Sequence, residues 1–402
     1  VREIESKRGM IILLDFEHQV STEFVFGKNA ELKIGEKLSG YGFKKVLAHH
    51  TGDDFLQPLL ARIKGELEKN NIEVFELDGV EPNPRLSLVR KGVEIAREEE
   101  IDFVLAVGGG STIDSAKAIA AGARYDGDVW DLFTGKGKVE SALKIGVVLT
   151  YPASGSESGN VSVINNTETN EKILISSRHL APMITFMNPE LTYTLPVFLT
   201  ANGVVDMFSH ICERYFSPAT YIGVIDRMAE GALRTLVDIG VKAIKNPEDY
   251  RYRAELMWIG TIAQNDTLGV GRVQDWATHV IGNELSALYD ITHGMTLSAI
   301  MPSWMRYVYQ NDIPRFARYA EKVFDVKLED EEKQALEGIR KTEELFVSLG
   351  MPVNLKELFI KNLDIDKLAA SVQYNPATNT IGSIRKLDIN DVKNILTMAY
   401  EG

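Results

Sequence analysis

The sequence predicts an α/β domain built on a mostly parallel sheet, followed by an all-α domain, and three observations carry that expectation. Short apolar or β-branched runs alternate with helix-like segments from about residue 20 to residue 190. After MNPELTYTLPVFLTANG the strand-like runs stop and amphipathic helices succeed one another to the end. With 402 residues, 45% of them hydrophobic and 25% charged, the chain can bury a large core. That length fits two or three domains at roughly 150 residues each.

In chain order the expected strands are Phe24-Val25-Phe26, KKVLA, IEVFEL, IDFVLAVGGG, KIGVVLT and MITFM, with helices such as FLQPLLARIKGELEKN and PRLSLVRKGVEIAREEE between them. Strands separated by helices read as βαβ units, hence the parallel sheet. The helical part reads as VDMFSHICERYF, VIDRMAEGALRTLVDIGVKAI, YRAELMWIGTIAQ, PRFARYAEKVF, EEKQALEGIRKTEELFVSLG and INDVKNILTMAY. The boundary is expected near residue 190, giving domains over 1–190 and 191–402. No internal repeat is visible.

Charge and composition exclude several classes of function. A formal net charge of -13, with no basic run interleaved with aromatics, would repel a phosphate backbone, so nucleic acid is not an expected partner. The single cysteine, Cys212, rules out an internal disulfide and agrees with a reducing compartment, the cytoplasm. The apolar run from Met10 to Leu14 is too short for the core of a signal peptide, and no other run approaches a membrane span.

Two loops in the first domain could hold a cofactor. In IDFVLAVGGGSTIDSAKAIAAGA an apolar strand enters Gly108-Gly109-Gly110-Ser111 and then an alanine-rich helix. Backbone amides at a glycine turn and a helix N-terminus make an anion site suited to a pyrophosphate. The stretch matches neither G-x-G-x-x-G nor the Walker spacing, so a tight turn whose glycines serve only packing is an equal reading. The second loop, TYPASGSESGN, offers Thr150, Ser154 and Ser156 after a buried strand. Small polar groups there suit a flat polar ligand, or simply solvent.

The chemistry is expected in the second domain. Asp206 and His210 are four residues apart on a predicted helix, so they share a face one turn apart and can grip one metal ion. Cys212 falls well round that helix and reads as core. Further on, DWATHVIGNELSALYDITHG carries His279 and His293, the second at the start of a new helix. Each of these residues alone is as readily structural. Together they offer one carboxylate and three imidazoles, a set suited to Zn²⁺ or Fe²⁺ with room for a substrate oxygen.

The ordered series VEPNP (80–84), GGGSTIDSAK (108–117), LTYPASGSE (149–157), the Asp206/His210 pair, and His279 with His293-Gly294 resembles the iron-containing, group III alcohol dehydrogenases. Within them it is most similar to the butanol dehydrogenase and NADPH-dependent aldehyde reductase branch. The similarity runs from about Phe24 to the C-terminus and includes LGMPVNLKEL. The resemblance implies a Rossmann-like N-terminal domain, an all-α C-terminal domain and a cleft between them, the fold also used by dehydroquinate synthase-like proteins. It implies divalent-metal ligands at Asp206, His210, His279 and His293 and a pyrophosphate on Gly109, Gly110 and Ser111. Asp114, Thr150, Ser154, Asn83 and Lys172 would lie by the cofactor. The implied activity is hydride transfer between NAD(P)(H) and a small primary alcohol or aldehyde, by a homodimer.

Two finer expectations concern single positions. An acidic side chain at the end of the first nucleotide-binding strand normally takes the ribose 2′-hydroxyl of NAD. After KKVLAHH that position reads as Thr51, followed by Gly52, which leaves room for the 2′-phosphate of NADP(H); a register shift of two residues, to Asp53, reverses the preference. In relatives a histidine often stands four residues after the third metal ligand, in reach of a proton relay. Here it is Asn283. An amide can hold a water or the substrate oxygen but does not titrate near neutrality, and the alternative is that this side chain serves only helix packing. Two rival functions are a dehydroquinate synthase-like lyase, which needs a Lys/Arg cluster where only Arg272 is near, and a non-catalytic metal or nucleotide binder.

Overall fold

The computed structural model describes residues 14–169, 171–219 and 223–402. The apolar run from Met10 therefore lies outside the described residues up to Leu14. Six strands form one sheet: β1 (Glu23–Phe26), β2 (Lys45–His49), β3 (Glu73–Leu77), β4 (Phe103–Gly108), β5 (Lys144–Leu149) and, further on, β8 (Ile184–Met187). Their order is β1-β8-β5-β4-β2-β3, and every pairing is parallel. The six runs read from the sequence are these six strands.

Their central members are near-continuous apolar runs because helices cover both faces. Leu47, Val104, Ala106, Ile145 and Val147 point to one side. They pack there with α3 (Leu86–Glu98), α4 (Gly110–Gly122) and α5 (Val129–Phe133). The intervening Val46, Phe103, Leu105, Val107 and Val148 point to the other, against α1 (Ile34–Gly40) and α2 (Gln57–Lys69). The period-two switch between two buried layers is the doubly wound arrangement.

An antiparallel pair, β6 (Val161–Asn166) and β7 (Glu171–Ser176), was not expected. VSVINN alternates buried and half-buried residues, but its Ser and Asn side chains make it read as a loop. Satisfaction of its backbone across the pair outweighs their weak strand propensity.

The helical unit contains α6 (Val197–Tyr215), α7 (Val224–Lys245), α9 (Ala277–Tyr289), α10 (His293–Val308), α11 (Ile313–Phe324), α12 (Glu331–Ser348), α13 (Ile365–Ser371) and α14 (Ile389–Glu401). Every residue of α6 from Thr200 to Tyr215 is buried, so this helix runs through the core of its unit. Cys212 is part of that core, as its place on the helix predicts.

By compactness the chain divides between Thr194 and Leu195, with two exchanges. Leu14–His18 belong with the helical unit, where Leu14 N donates to Gly271 O at 2.9 Å. From α8 (Tyr250–Gln264), Arg253–Thr261 belong with the sheet unit, where Trp258 packs edge-on to Phe24. A boundary drawn on a change of secondary structure has no means of detecting either exchange. No described helix is long and apolar enough to cross a membrane.

Candidate functional site

In the sheet unit, Thr51 and Gly52 follow β2, Gly109 follows β4, and Thr150 and Ser154 follow β5, all at C-terminal ends of strands. The chain leaves β2 toward β3 on one side and then crosses to β4 on the other, so the ends of β2 and β4 flank the point where strand order reverses. Ligands of open α/β sheets bind in the crevice that such a reversal leaves. At the end of β4, Gly109 is the N-cap of α4 and offers no capping side chain. A Cβ on Gly109 would lie 2.9 Å from Tyr151 Cβ, and one on Gly110 would lie 2.5 Å from Ser154 Oγ. The glycine turn and the Ser/Gly loop after β5 are thus in contact, and Thr150 N donates to Gly108 O at 3.1 Å. The glycines permit this close packing, and no side chain caps the start of α4.

Asp114, on α4, has a protein partner on each carboxylate oxygen. Its Oδ1 accepts from Ser156 Oγ at 2.6 Å and its Oδ2 from Val163 N at 3.1 Å. Beside it Lys117, fully buried and not singled out from the sequence, donates to Ser156 Oγ, Gly159 O and Val161 O at 2.8, 2.9 and 2.9 Å. Burial pulls the Lys117 ammonium down to about 8 against the pull of Asp114 and Glu157. These two residues tie the Ser/Gly loop to α4. Asn83 and Lys172 meet each other, Lys172 Nζ donating to Asn83 Oδ1 at 2.9 Å. Thr51 and Gly52 follow β2, where Thr51 Oγ1 donates to Asp53 Oδ2 at 2.6 Å and Gly52, at φ 88°, lies against Asp78.

In the helical unit, three helices deliver the other set. Asp206 and His210 stand one turn apart on α6, His279 on the first turn of α9, and His293 at the first residue of α10. Close packing fixes these helices: a Cβ on Gly294 would lie 2.8 Å from Asn202 O of α6, and one on Gly282 would lie 2.8 Å from Thr296 Oγ1 of α10. Asp206 Oδ1 is 3.6 Å from His210 Nδ1, 3.6 Å from His279 Nε2 and 3.7 Å from His293 Nε2. Donor atoms of Asp206, His279 and His293 all lie within 4.8 Å of one another, with His210 adjoining through Asp206.

These separations are too long for hydrogen bonds. Asp206 Oδ1, His210 Nδ1 and His279 Nε2 are buried without a hydrogen-bond partner. Burying such groups unmatched is costly, and a cation among them removes the cost. Donors about 2.0–2.2 Å from one tetrahedral ion lie roughly 3.3–3.6 Å apart, close to what is found. The residues fit a divalent metal.

The sequence reading missed the residue that orients this cluster. Glu213, seven positions after Asp206 and therefore on the same face of α6, is fully buried. Its Oε2 accepts from His279 Nδ1 in a very short contact, which puts that ring's proton on Nδ1 and turns the Nε2 lone pair toward Asp206. Its Oε1 accepts from Thr278 N at 2.7 Å, from His279 N at 3.2 Å and from the Thr278 hydroxyl. Burial opposes a charge on His279, but without an ion Glu213 and Asp206 together hold it up to about 9, and a metal at Nε2 would take the place of the second ring proton. His210, buried without such a partner, falls well below the ordinary imidazole value. Burial would raise the Asp206 carboxyl, yet His210 and the other two imidazoles hold it below the usual range.

Asn283 lies on α9 one turn beyond His279 and is exposed. Arg272 is committed inward, donating to Asp226 Oδ1 at 2.5 Å and to Arg214 O at 3.4 Å, so it is not presented to a phosphorylated substrate.

A doubly wound α/β unit, with a helical unit whose helices converge one carboxylate and three imidazoles, defines the class of protein. Residues 21–189 match the family model for iron-containing alcohol dehydrogenase, and residues 200–400 match that for the C-terminal part of the Fe-containing alcohol dehydrogenase family. The chain belongs to the iron-containing alcohol dehydrogenases, oxidoreductases of alcohols and aldehydes. It is 39% identical over 390 residues to NADH-dependent butanol dehydrogenase A of Clostridium acetobutylicum, covering 96% of this chain and all of the relative. It is 35% identical over 372 residues to the NADPH-dependent aldehyde reductase YqhD of Escherichia coli, covering 90% and 94% of the two chains. The crystal structure of NADH-dependent butanol dehydrogenase A from Thermotoga maritima superposes with a TM-score of 0.92 at 40% identity, over 97% of this chain and 99% of that one.

Proposed function

We propose that this protein transfers hydride reversibly between NAD(H) and a small primary alcohol or aldehyde, using a divalent ion, Fe²⁺ or Zn²⁺, held by Asp206, His210, His279 and His293. The observation that carries the reading is the convergence of three imidazoles on Asp206 Oδ1, with that oxygen, His210 Nδ1 and His279 Nε2 all buried and without a hydrogen-bond partner. An ion bound there supplies Lewis acidity toward a substrate oxygen. A bound nicotinamide supplies the hydride chemistry. The chain's own residues do the rest. Glu213 holds the His279 ring and its tautomer, and Gly109, Gly110 and Ser111 present amides to the pyrophosphate. Thr150 and Ser154 border the cofactor, with Asn83 and Lys172 near it, while Asp114 and Lys117 fix the loop that bears Ser154. Asn283 offers an amide to a water or to the substrate oxygen without supplying a titrating proton.

For the cofactor, the local geometry argues against the preference for NADP(H) expected from Thr51 and Gly52. The Thr51 hydroxyl is spent on Asp53, and Asp53 and Asp78 flank the glycine, so a 2′-phosphate would meet two carboxylates. The NADH-dependent names of the butanol dehydrogenases support the same reading. A cytoplasmic homodimer belongs to the proposal as well. Strand β1 is a sheet edge whose Phe26, with Trp258 beside it, is exposed, a feature that proteins ordinarily cover.

The test is oxidation of NADH and NADPH by the Fe²⁺- or Zn²⁺-loaded protein with linear aldehydes from ethanal to hexanal. Aldehyde-dependent turnover faster with NADH is the expected result, and its absence with both cofactors and both metals would sink the proposal. Asp53→Ser should raise kcat/KM for NADPH relative to NADH. An unchanged ratio would remove Asp53 from the account.

A further inference from the structure

His279 and His210 are held by different means. The ring of His279 is fixed by the Glu213 carboxylate. Nδ1 of His210 has no hydrogen-bond partner, and the ring is surrounded by aromatic groups. His279 stacks on it at 4.5 Å between centroids, with the planes 21° apart, and Trp276 meets it edge-on at 5.9 Å. Trp276 also meets His279 edge-on, at 5.2 Å.

Trp276 is in an unusual state. It has φ 66° and ψ 7°, the left-handed region, which a bulky side chain rarely adopts. Such an outlier persists only where its surroundings over-determine it, and it gathers at functional sites. The position is the N-cap of α9, yet the tryptophan does no capping. Asp275 Oδ1 takes the amide of Ala277 at 3.1 Å, and Glu213 takes those of Thr278 and His279. The indole is instead clamped on two sides. Nε1 donates to Gln274 Oε1 at 3.0 Å, and the Arg214 guanidinium lies over the ring at 4.5 Å. Arg214 donates back to His210 O at 3.2 Å, which closes a circuit of His210, Trp276 and Arg214.

We propose that Trp276 is a positioning residue for the metal centre: its ring sets the orientation of the His210 imidazole, as the Glu213 hydrogen bond sets that of His279. The inference rests on the reading of Asp206, His210, His279 and His293 as metal ligands. It assigns the left-handed backbone to the need to aim a large ring at His210 from the residue that starts α9.

The experiment uses the full chain, stripped with a chelator and titrated with Co²⁺. Co²⁺ affinity is measured by competition with a chromophoric chelator, and the visible d–d bands report the ligand geometry. Trp276→Phe should stay near wild type, whereas Trp276→Leu and Trp276→Gly should weaken Co²⁺ binding about 10- to 100-fold and alter the bands. NADH affinity and the circular dichroism spectrum should be unchanged in all three. Glycine accepts φ 66° without strain, so the Gly variant separates the ring from the backbone. Wild-type affinity and bands in Trp276→Gly overturn the proposal, as does a loss in Trp276→Phe equal to that in Trp276→Leu. If the wild-type protein takes up no stoichiometric Co²⁺, and His279→Ala behaves the same, the metal reading fails first and the positioning role falls with it.

Discussion

The two units assemble their candidate sites in opposite ways. In the sheet unit the principal contribution is backbone: glycine turns at strand ends and the uncapped start of α4, all within Gly108–Ser111 and the loop after β5. In the helical unit it is side chains, and these come from residues 206, 210, 279 and 293 on three helices. A site made of amides depends on the absence of side chains, so it is sensitive to added atoms. One made of convergent donors depends on charge and aim, and so it is sensitive to removed ones.

Removal of one donor should therefore give the largest effect. Lewis acidity is worth several kcal/mol, and each 1.36 kcal/mol is tenfold, so His279→Ala should lower kcat/KM by roughly a thousandfold or more. NADH affinity, measured by fluorescence titration, should not change. A metal-free His279→Ala protein with full activity would remove the helical cluster from the mechanism.

The reverse experiment adds an atom to the sheet unit. In Gly109→Ala the new Cβ meets Tyr151 Cβ at 2.9 Å. Overpacking of that kind costs about 1–3 kcal/mol, or roughly 5- to 150-fold in NADH Kd if the bound state bears all of it. Metal content, read by elemental analysis, should remain at the wild-type level. Loss of metal in this variant would break the contrast between the units.

A smaller effect sharpens the helical side. Glu213→Gln keeps the size of the side chain but gives up the charge that orients His279 and receives three donors at the start of α9. Metal affinity should fall about tenfold, the low end for a group that supports a ligand. If affinity is unchanged, the cluster holds its shape by packing alone.

The smallest change is expected at Asn283, which is exposed one turn beyond His279. Asn283→His should raise kcat for alcohol oxidation modestly and add an ionisation near the ordinary imidazole pKa of about 6.5. The wild-type rate and pH profile in a folded, metal-loaded variant would make residue 283 a helix-surface position.

What was legible in the sequence follows the same division. The central sheet strands announce themselves because strands covered on both faces must be apolar almost throughout, and GGGS after IDFVLAV marks a turn where a side chain would clash. The hairpin of β6 and β7 escaped because its stability comes from backbone pairing, which leaves no mark in side chains such as Ser162 and Asn165. For the metal cluster, the Asp206/His210 spacing is a helical repeat that the chain itself states. Glu213 stood one repeat further on and could have been read in the same way. Family resemblance, rather than spacing, joined those two residues to His279 and His293.

The sequence by itself determined the six strands of the main sheet, the principal helices and the Asp206/His210 spacing on one helix face, because these depend on local sterics and on periodicity of 2 or 3.6. Only the tertiary structure decided that Asp206 Oδ1 lies at nearly equal distance from three imidazoles, that Glu213 turns one of them, and that Asp114 faces the protein. It also decided that the Thr51 hydroxyl bonds to Asp53. The physical reason is range. Backbone preference acts over a few residues, whereas the aim of a side chain is set by whichever distant segments pack against it, here 66 residues away for Glu213 and His279 and 42 for Asp114 and Ser156.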